Sequence, residues 1–119
     1  MAYDRENIFA KILRGEIPCE IVHENDHVLA FEDINPQAPV HVLIIPKGEY
    51  ENMTEFTKKA SAEEKAAFIE AIGTVVNLKR IDKTGYRTIV NNGEDSMQEV
   101  THLHVHVLGG RRLGALLPS

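Results

Sequence analysis

Three histidines stand two residues apart in the stretch "THLHVHVLGG", residues 101–110. Side chains alternate along a strand, so His102, His104 and His106 share one face while Leu103, Val105 and Val107 share the other. Same-face neighbours then lie roughly 6.5 to 7 Å apart along the chain. Three readings fit such a row. Two or three rings could hold zinc or copper, with a further ligand from His41, Asp33 or Glu99. One ring could instead be a nucleophile or base that its neighbours orient, since imidazole keeps a large neutral fraction near its pKa of about 6.5. Its attack on phosphorus would divide one difficult displacement into two easier ones. The third reading is a solvated strand face that merely carries histidines.

The flanking residues bear on this choice. Gly109-Gly110 lets the backbone turn sharply or approach another segment closely. The preceding "NNGEDSMQ" is polar and offers amide donors to an anion, which phosphoryl chemistry needs while charge shifts onto the equatorial oxygens. A metal site would not need that loop. The combination favours phosphate chemistry.

The rest of the chain sets the frame. Its 119 residues fit one domain, 1–119. A formal net charge of −5 argues against a broad basic surface for a nucleic-acid duplex, but leaves room for a single nucleotide. Cys19 is the only cysteine, which excludes an intramolecular disulfide and a four-cysteine zinc site. It reads as a small, half-buried apolar residue. The opening "MAYDRENIFAKILRGE" is charged throughout, without an apolar signal core, and the run Val42 to Ile45 is too short to span a bilayer. A cytoplasmic protein without membrane contact is expected.

The elements that must position the histidines follow from periodicity. "ENIFAKILRGE" predicts a short helix with Ile8, Phe9, Ile12 and Leu13 on one face, Asn7 or Asp4 at its start and Gly15 as its stop. "CEIVHE" and "HVLAFED" read as a hairpin around "END", and "HVLIIP" as a central strand ended by Pro46. "KGEYENMTEFTKK" reads as a polar connection. "SAEEKAAFIEAIGTVVNLKR" predicts a long helix with a Ser61–Glu64 capping box and Phe68, Ile72, Val75 and Val76 facing inward. Lys79 and Arg80 suit the negative end of its dipole, and Gly73 is expected to mark close packing against the sheet. "YRTIVN" reads as another strand. Two helices and about five strands, without regular βαβ alternation, give an α+β fold with a mainly antiparallel sheet.

Taken together, "HLHVHVLGGR", "DINPQAPVHVLIIPK" and "IFAKILRGEIP" resemble the histidine triad (HIT) family, on its Hint-like purine nucleoside phosphoramidase branch. The likeness runs from about Asn7 to Leu113. It implies a five-stranded antiparallel sheet with two helices, and a homodimer that extends the sheet to ten strands. It implies hydrolysis of adenosine or guanosine 5′-phosphoramidates through a nucleotidyl-histidine, with no metal and no cofactor. By the same resemblance His104 is the nucleophile, His106 holds the phosphate, and His102 and His41 support the site. Asp33 would take the ribose hydroxyls, and Phe9, Ile12, Ile17, Phe31 and Ile34 the purine base. Asn91, Met97, Gln98 and Glu99 would lie on the phosphate side. The pattern departs at Ser96-Met97, where Gly-Gly is common before the glutamine, and at Glu99, where some relatives carry serine. Related readings are hydrolysis of aminoacyl-adenylates or dinucleoside polyphosphates, a nucleotide-binding regulatory module, and a zinc-binding domain.

Overall fold

The computed structural model describes residues 2–117. Its elements run α1 (Ile8–Leu13), β1 (Ile21–Glu24), β2 (Val28–Glu32), β3 (Val40–Pro46), α2 (Met53–Lys59), α3 (Ala62–Leu78), β4 (Tyr86–Ile89), a 3₁₀ turn at Glu94–Ser96, and β5 (Val105–Gly109). The strands form one sheet in the order β1-β2-β3-β5-β4, and all four pairings are antiparallel. The α+β fold read from the sequence is the observed one. Pro118 and Ser119, part of the aperiodic tail, lie outside the described residues.

Each face of the sheet has its own core. Val28, Ala30, Val42, Ile44, Leu103, Val105 and Val107 pack with Phe68, Ala71, Val75 and Val76 of α3. The capping box at the start of α3 is present as predicted, with Ser61 accepting from the Glu64 N–H and Glu64 reaching back to the Ser61 N–H. On the opposite face Leu29, Phe31, Leu43 and Ile45 pack with Phe9 of α1, joined by Ile12, Leu13, Cys19 and Val100. Asn7 caps α1 through Oδ1, which accepts from the Ala10 N–H at 2.9 Å. Gly15, at φ +79°, takes the left-handed turn that ends it. One face is scaffold, and the other carries the site.

Four local expectations need correction. The polar connection contains a helix, α2, capped by Asn52 and anchored by the buried Phe56, whose ring meets Tyr50 and Phe68 at centroid distances of 5.1 Å. With a single fully buried side chain in seven residues, α2 carries too little apolar period to be seen. Gly73 does not mark close packing: a Cβ there would meet nothing within 4 Å. Lys79 caps α3 but its ammonium pairs with Glu32 at the end of β2, and Arg80 follows in the left-handed region at φ 58°. Finally, the histidine strand begins only at Val105.

That last difference has a physical cause. The Leu103 N–H bonds the Tyr50 carbonyl at 2.8 Å, and the Pro46 carbonyl is taken by the His102 ring rather than by a ladder partner. The chain at residues 102–104 is therefore held by other groups, and β5 pairs with β3 only from Val105↔Ile44 onward. The alternation of faces survives. Leu103, Val105 and Val107 still point to the α3 side.

A histidine-lined cleft on the open face

Beside α1 lies a cleft of about 920 Å³. Phe9, Ile12 and Ile8 reach it from α1, Phe31 from β2, Leu43 from β3, and Ile17 and Pro18 from the chain that follows α1. His104 and His106 stand at its wall, with Asn91, Ser96, Met97, Glu99 and Val100 from the loop before the histidines. Glu20, Glu32, Asp33 and Glu99 line it, and among the described lining residues there is no lysine or arginine.

Hydrogen-bond partners fix the imidazole tautomers one after another. A carbonyl oxygen can only accept, so His104 Nδ1, 2.8 Å from the His102 carbonyl, carries the proton. His104 Nε2 is left with a bare lone pair. In the same way His102 donates through Nε2 to the Pro46 carbonyl at 2.9 Å, and its Nδ1 accepts from the Tyr3 hydroxyl. A backbone N–H can only donate, so His41 Nδ1 accepts from Gln37 at 3.0 Å and its proton sits on Nε2. That proton faces His106 Nδ1 at 2.9 Å, with Asp33 Oδ2 at 3.3 Å. His106 therefore keeps its own proton on Nε2, as a donor.

Burial keeps these rings neutral. It pushes His104 and His41 below the usual histidine range, the latter partly countered by Asp33. His102 and His106 are pushed down to about 4, burial again leading and the neighbouring His104 adding to it. A neutral His104 with Nε2 bare beside a neutral His106 donor sets one lone pair next to one N–H, an arrangement that can serve a nucleophile and an anion contact. The rings are close: centroids of His104 and His106 are 5.1 Å apart, and Phe9 stands edge-on to His104 at 4.9 Å.

Of the residues picked out in the sequence, eleven line the cleft: His104, His106, Asp33, Ile34, Phe9, Ile12, Ile17, Phe31, Asn91, Met97 and Glu99. Ile34 is fully exposed, at the rim. His102, His41 and the Gln98 side chain are not among them. His102 is 0% exposed and acts on the cleft only through its carbonyl and through the chain it anchors. His41 reaches the cleft through His106. Gln98 spends its amide on backbone, accepting from the Gly93 N–H and donating to the Glu51 and Val100 carbonyls, so it staples the loop. Sequence reasoning missed Tyr3, for which no local signal exists because its partner lies 99 residues away. It also missed Ser96 as a lining residue, although it had marked the loop.

The loop that lacks the glycines takes a glycine-like turn all the same. Met97 has φ 62° and ψ 42°, the left-handed region. An L-residue there is held by its surroundings: the Met97 N–H bonds the Glu94 carbonyl at 2.8 Å, and the Gln98 staple closes the turn behind it. Among the described residues one group has metal-ligand spacing, Asp33, His41 and His106, with ligand atoms within 4.8 Å of one another.

An antiparallel sheet carrying tautomer-fixed histidines at the wall of a partly apolar cleft defines a histidine-lined site on an α+β scaffold. The HIT domain family model matches residues 14–113, and the chain belongs to the HIT family. It is 53% identical over 115 residues to an uncharacterized 13.2 kDa HIT-like protein of Azospirillum brasilense, covering 97% of this chain and 94% of that one. It is 44% identical over 115 residues to the purine nucleoside phosphoramidase of Escherichia coli, covering 94% and 93%. The solved structure of a HIT family hydrolase from Clostridium thermocellum superposes with a TM-score of 0.88 at 40% identity, covering 96% and 99%. These likenesses support a hydrolase. No described helix is long and apolar enough to cross a membrane.

Proposed function

We propose that the protein is a metal-independent purine nucleoside phosphoramidase. The observation that carries this reading is the His104 ring, whose Nδ1 proton is given to the His102 carbonyl at 2.8 Å, so that Nε2 faces the cleft as a free lone pair. Nε2 attacks the α-phosphorus of an adenosine or guanosine 5′-phosphoramidate. The P–N bond to the amine breaks, and the amine leaves with a proton from solvent. Water then attacks the nucleotidyl-histidine, the P–Nε2 bond breaks, and nucleoside monophosphate departs as His104 returns to neutrality.

His106 Nε2–H donates to a non-bridging phosphoryl oxygen, where developing charge makes that bond stronger in the transition state. His41 holds His106 in the donating tautomer, and His102 holds His104. Asp33 takes the ribose hydroxyls through lone pairs left beside its bond to the Asn35 N–H. The apolar side chains of α1, β2 and the rim take the base. Asn91 lies towards the 5′ oxygen, and the backbone of Met97, Gln98 and Glu99 towards the phosphate. The working form is a cytoplasmic homodimer whose two sheets join as ten strands.

The test is direct. Quenching during turnover of labelled adenosine phosphoramidate is expected to trap an AMP adduct on the peptide containing His104. His104→Ala should abolish turnover while AMP binding survives; turnover near the wild-type rate in that variant would end the assignment. The Asp33, His41 and His106 group favours one rival, a zinc site. Against it, both His41 nitrogens are already engaged in hydrogen bonds. Stoichiometric zinc in protein purified without a histidine tag, lost on mutation of His41, would overturn the metal-independent reading.

A further inference from the structure

The Tyr3 hydroxyl lies outside the cleft, yet it belongs to a hydrogen-bond chain that ends on the reacting nitrogen's ring. Asn7 Nδ2–H donates to the Tyr3 hydroxyl oxygen at 2.9 Å. That hydroxyl donates to His102 Nδ1, because His102 Nε2 must carry the proton it gives to the Pro46 carbonyl. The carbonyl of His102 accepts the Nδ1 proton of His104. The Tyr3 ring itself stands edge-on to the His102 ring at 5.6 Å.

His102 is fully buried, so its Nδ1 has no access to bulk water, and the Tyr3 hydroxyl is its partner. Without that partner a buried acceptor is left unpaired, and a ring that rotated to find another would release the Pro46 carbonyl as well. The backbone of residue 102 would loosen with it, and the carbonyl that orients His104 belongs to that backbone. Asn7 adds a second link. The side chain that donates to Tyr3 also caps α1, which carries Phe9 edge-on to His104.

We infer that Tyr3 is a positioning residue for His104, acting through the His102 ring and carbonyl. Its kinetic consequence rests on the phosphoramidase reading, whereas its structural consequence does not. The hydroxyl touches no reacting atom. It satisfies the buried Nδ1 of the tautomer that the Pro46 carbonyl fixes, and through that ring it holds the nucleophile in line.

Tyr3→Phe keeps the ring and removes only the hydroxyl. The expected result is a roughly tenfold lower kcat with little change in KM for adenosine phosphoramidate or in AMP affinity. In nitrogen-15 spectra of the imidazoles, His102 Nδ1 should move towards a free acceptor. Asn7→Ser keeps a cap on α1 but removes the donor to Tyr3, and should fall between wild type and Tyr3→Phe. The spectra need no substrate, so the two ideas fail separately. A wild-type protein that leaves phosphoramidates intact would remove the parent reading. Unchanged His102 ring nitrogens, or an unchanged kcat, in folded Tyr3→Phe would overturn the positioning role. Should Tyr3→Phe not fold, an unchanged His102 spectrum and kcat in Asn7→Ser would do the same.

Discussion

Replacing His41 by phenylalanine removes the donor that fixes His106 while keeping most of the volume at a buried position. In the native arrangement His41 Nε2–H points at His106 Nδ1 from 2.9 Å, which leaves the His106 proton on Nε2, facing the cleft. Without His41, that proton can move to Nδ1 and the donor to phosphate is lost. A hydrogen bond to a charged group is worth about 1.5 to 3 kcal/mol, and each ~1.4 kcal/mol is a factor of ten. The expected fall in kcat/KM on adenosine phosphoramidate is therefore about 10- to 150-fold. The sharper measurement is a double-mutant cycle with His106→Phe. If His41 acts through His106, the double variant should lose no more than the larger single loss, giving a coupling energy of about 1.5 to 3 kcal/mol. Urea melts of each variant correct for folded fraction, since Asp33 also loses its neighbour. Losses that simply add would refute the relay.

Two further predictions concern stability. His102 and His106 have folded pKa values near 4, below the usual ~6.5, so between those values the unfolded chain binds more protons. Stability should then be full above about pH 6.5 and fall as pH drops towards 4, by up to about 3 kcal/mol for the fully buried His102 alone. Urea midpoints measured from pH 7.5 to 4.5 check this, and a flat profile would contradict the neutral burial of these rings. Gly110→Ala should destabilise by about 1 to 3 kcal/mol, because φ is +91° and the new Cβ would lie 2.8 Å from the Pro39 Cβ. Thermal unfolding reads it, and an unchanged midpoint would show that the 109–110 corner relaxes freely.

Much of the scaffold was legible because its signals are local. Asn7 and Gly15 bracket α1, Ser61 and Glu64 open α3, and β3 ends at Pro46, which has no N–H for a ladder. What escaped was set by distant partners. The single buried Phe56 hid α2, and nothing near Gly73 announced that its space is open. The candidate site divides in the same way. Period-two spacing put His104 and His106 on one wall, but it could not show that Tyr50 and Pro46 would draw His102 out of the strand. Nor could it show that Gln98 faces inward as a staple, or that Tyr3 and His102 would meet. The loop with Ser96-Met97 in place of a Gly-Gly pair illustrates the limit well. The sequence marks Met97 as unusual, and only the fold shows the left-handed turn it is made to adopt.

The cleft holds its carboxylates without a lysine or arginine among the described lining residues, and this has a bearing on traffic through the site. A phosphate held there by neutral imidazole and amide dipoles would meet carboxylates and no basic side chain, so added salt should screen repulsion and not weaken binding. Each extra phosphate brings more negative charge towards Glu20, Asp33 and Glu99. Such a pocket sorts nucleotides by charge number before it sorts them by base. Abundant triphosphates would compete poorly with a singly charged phosphoramidate, and a cleaved monophosphate, gaining a charge, would be pushed out.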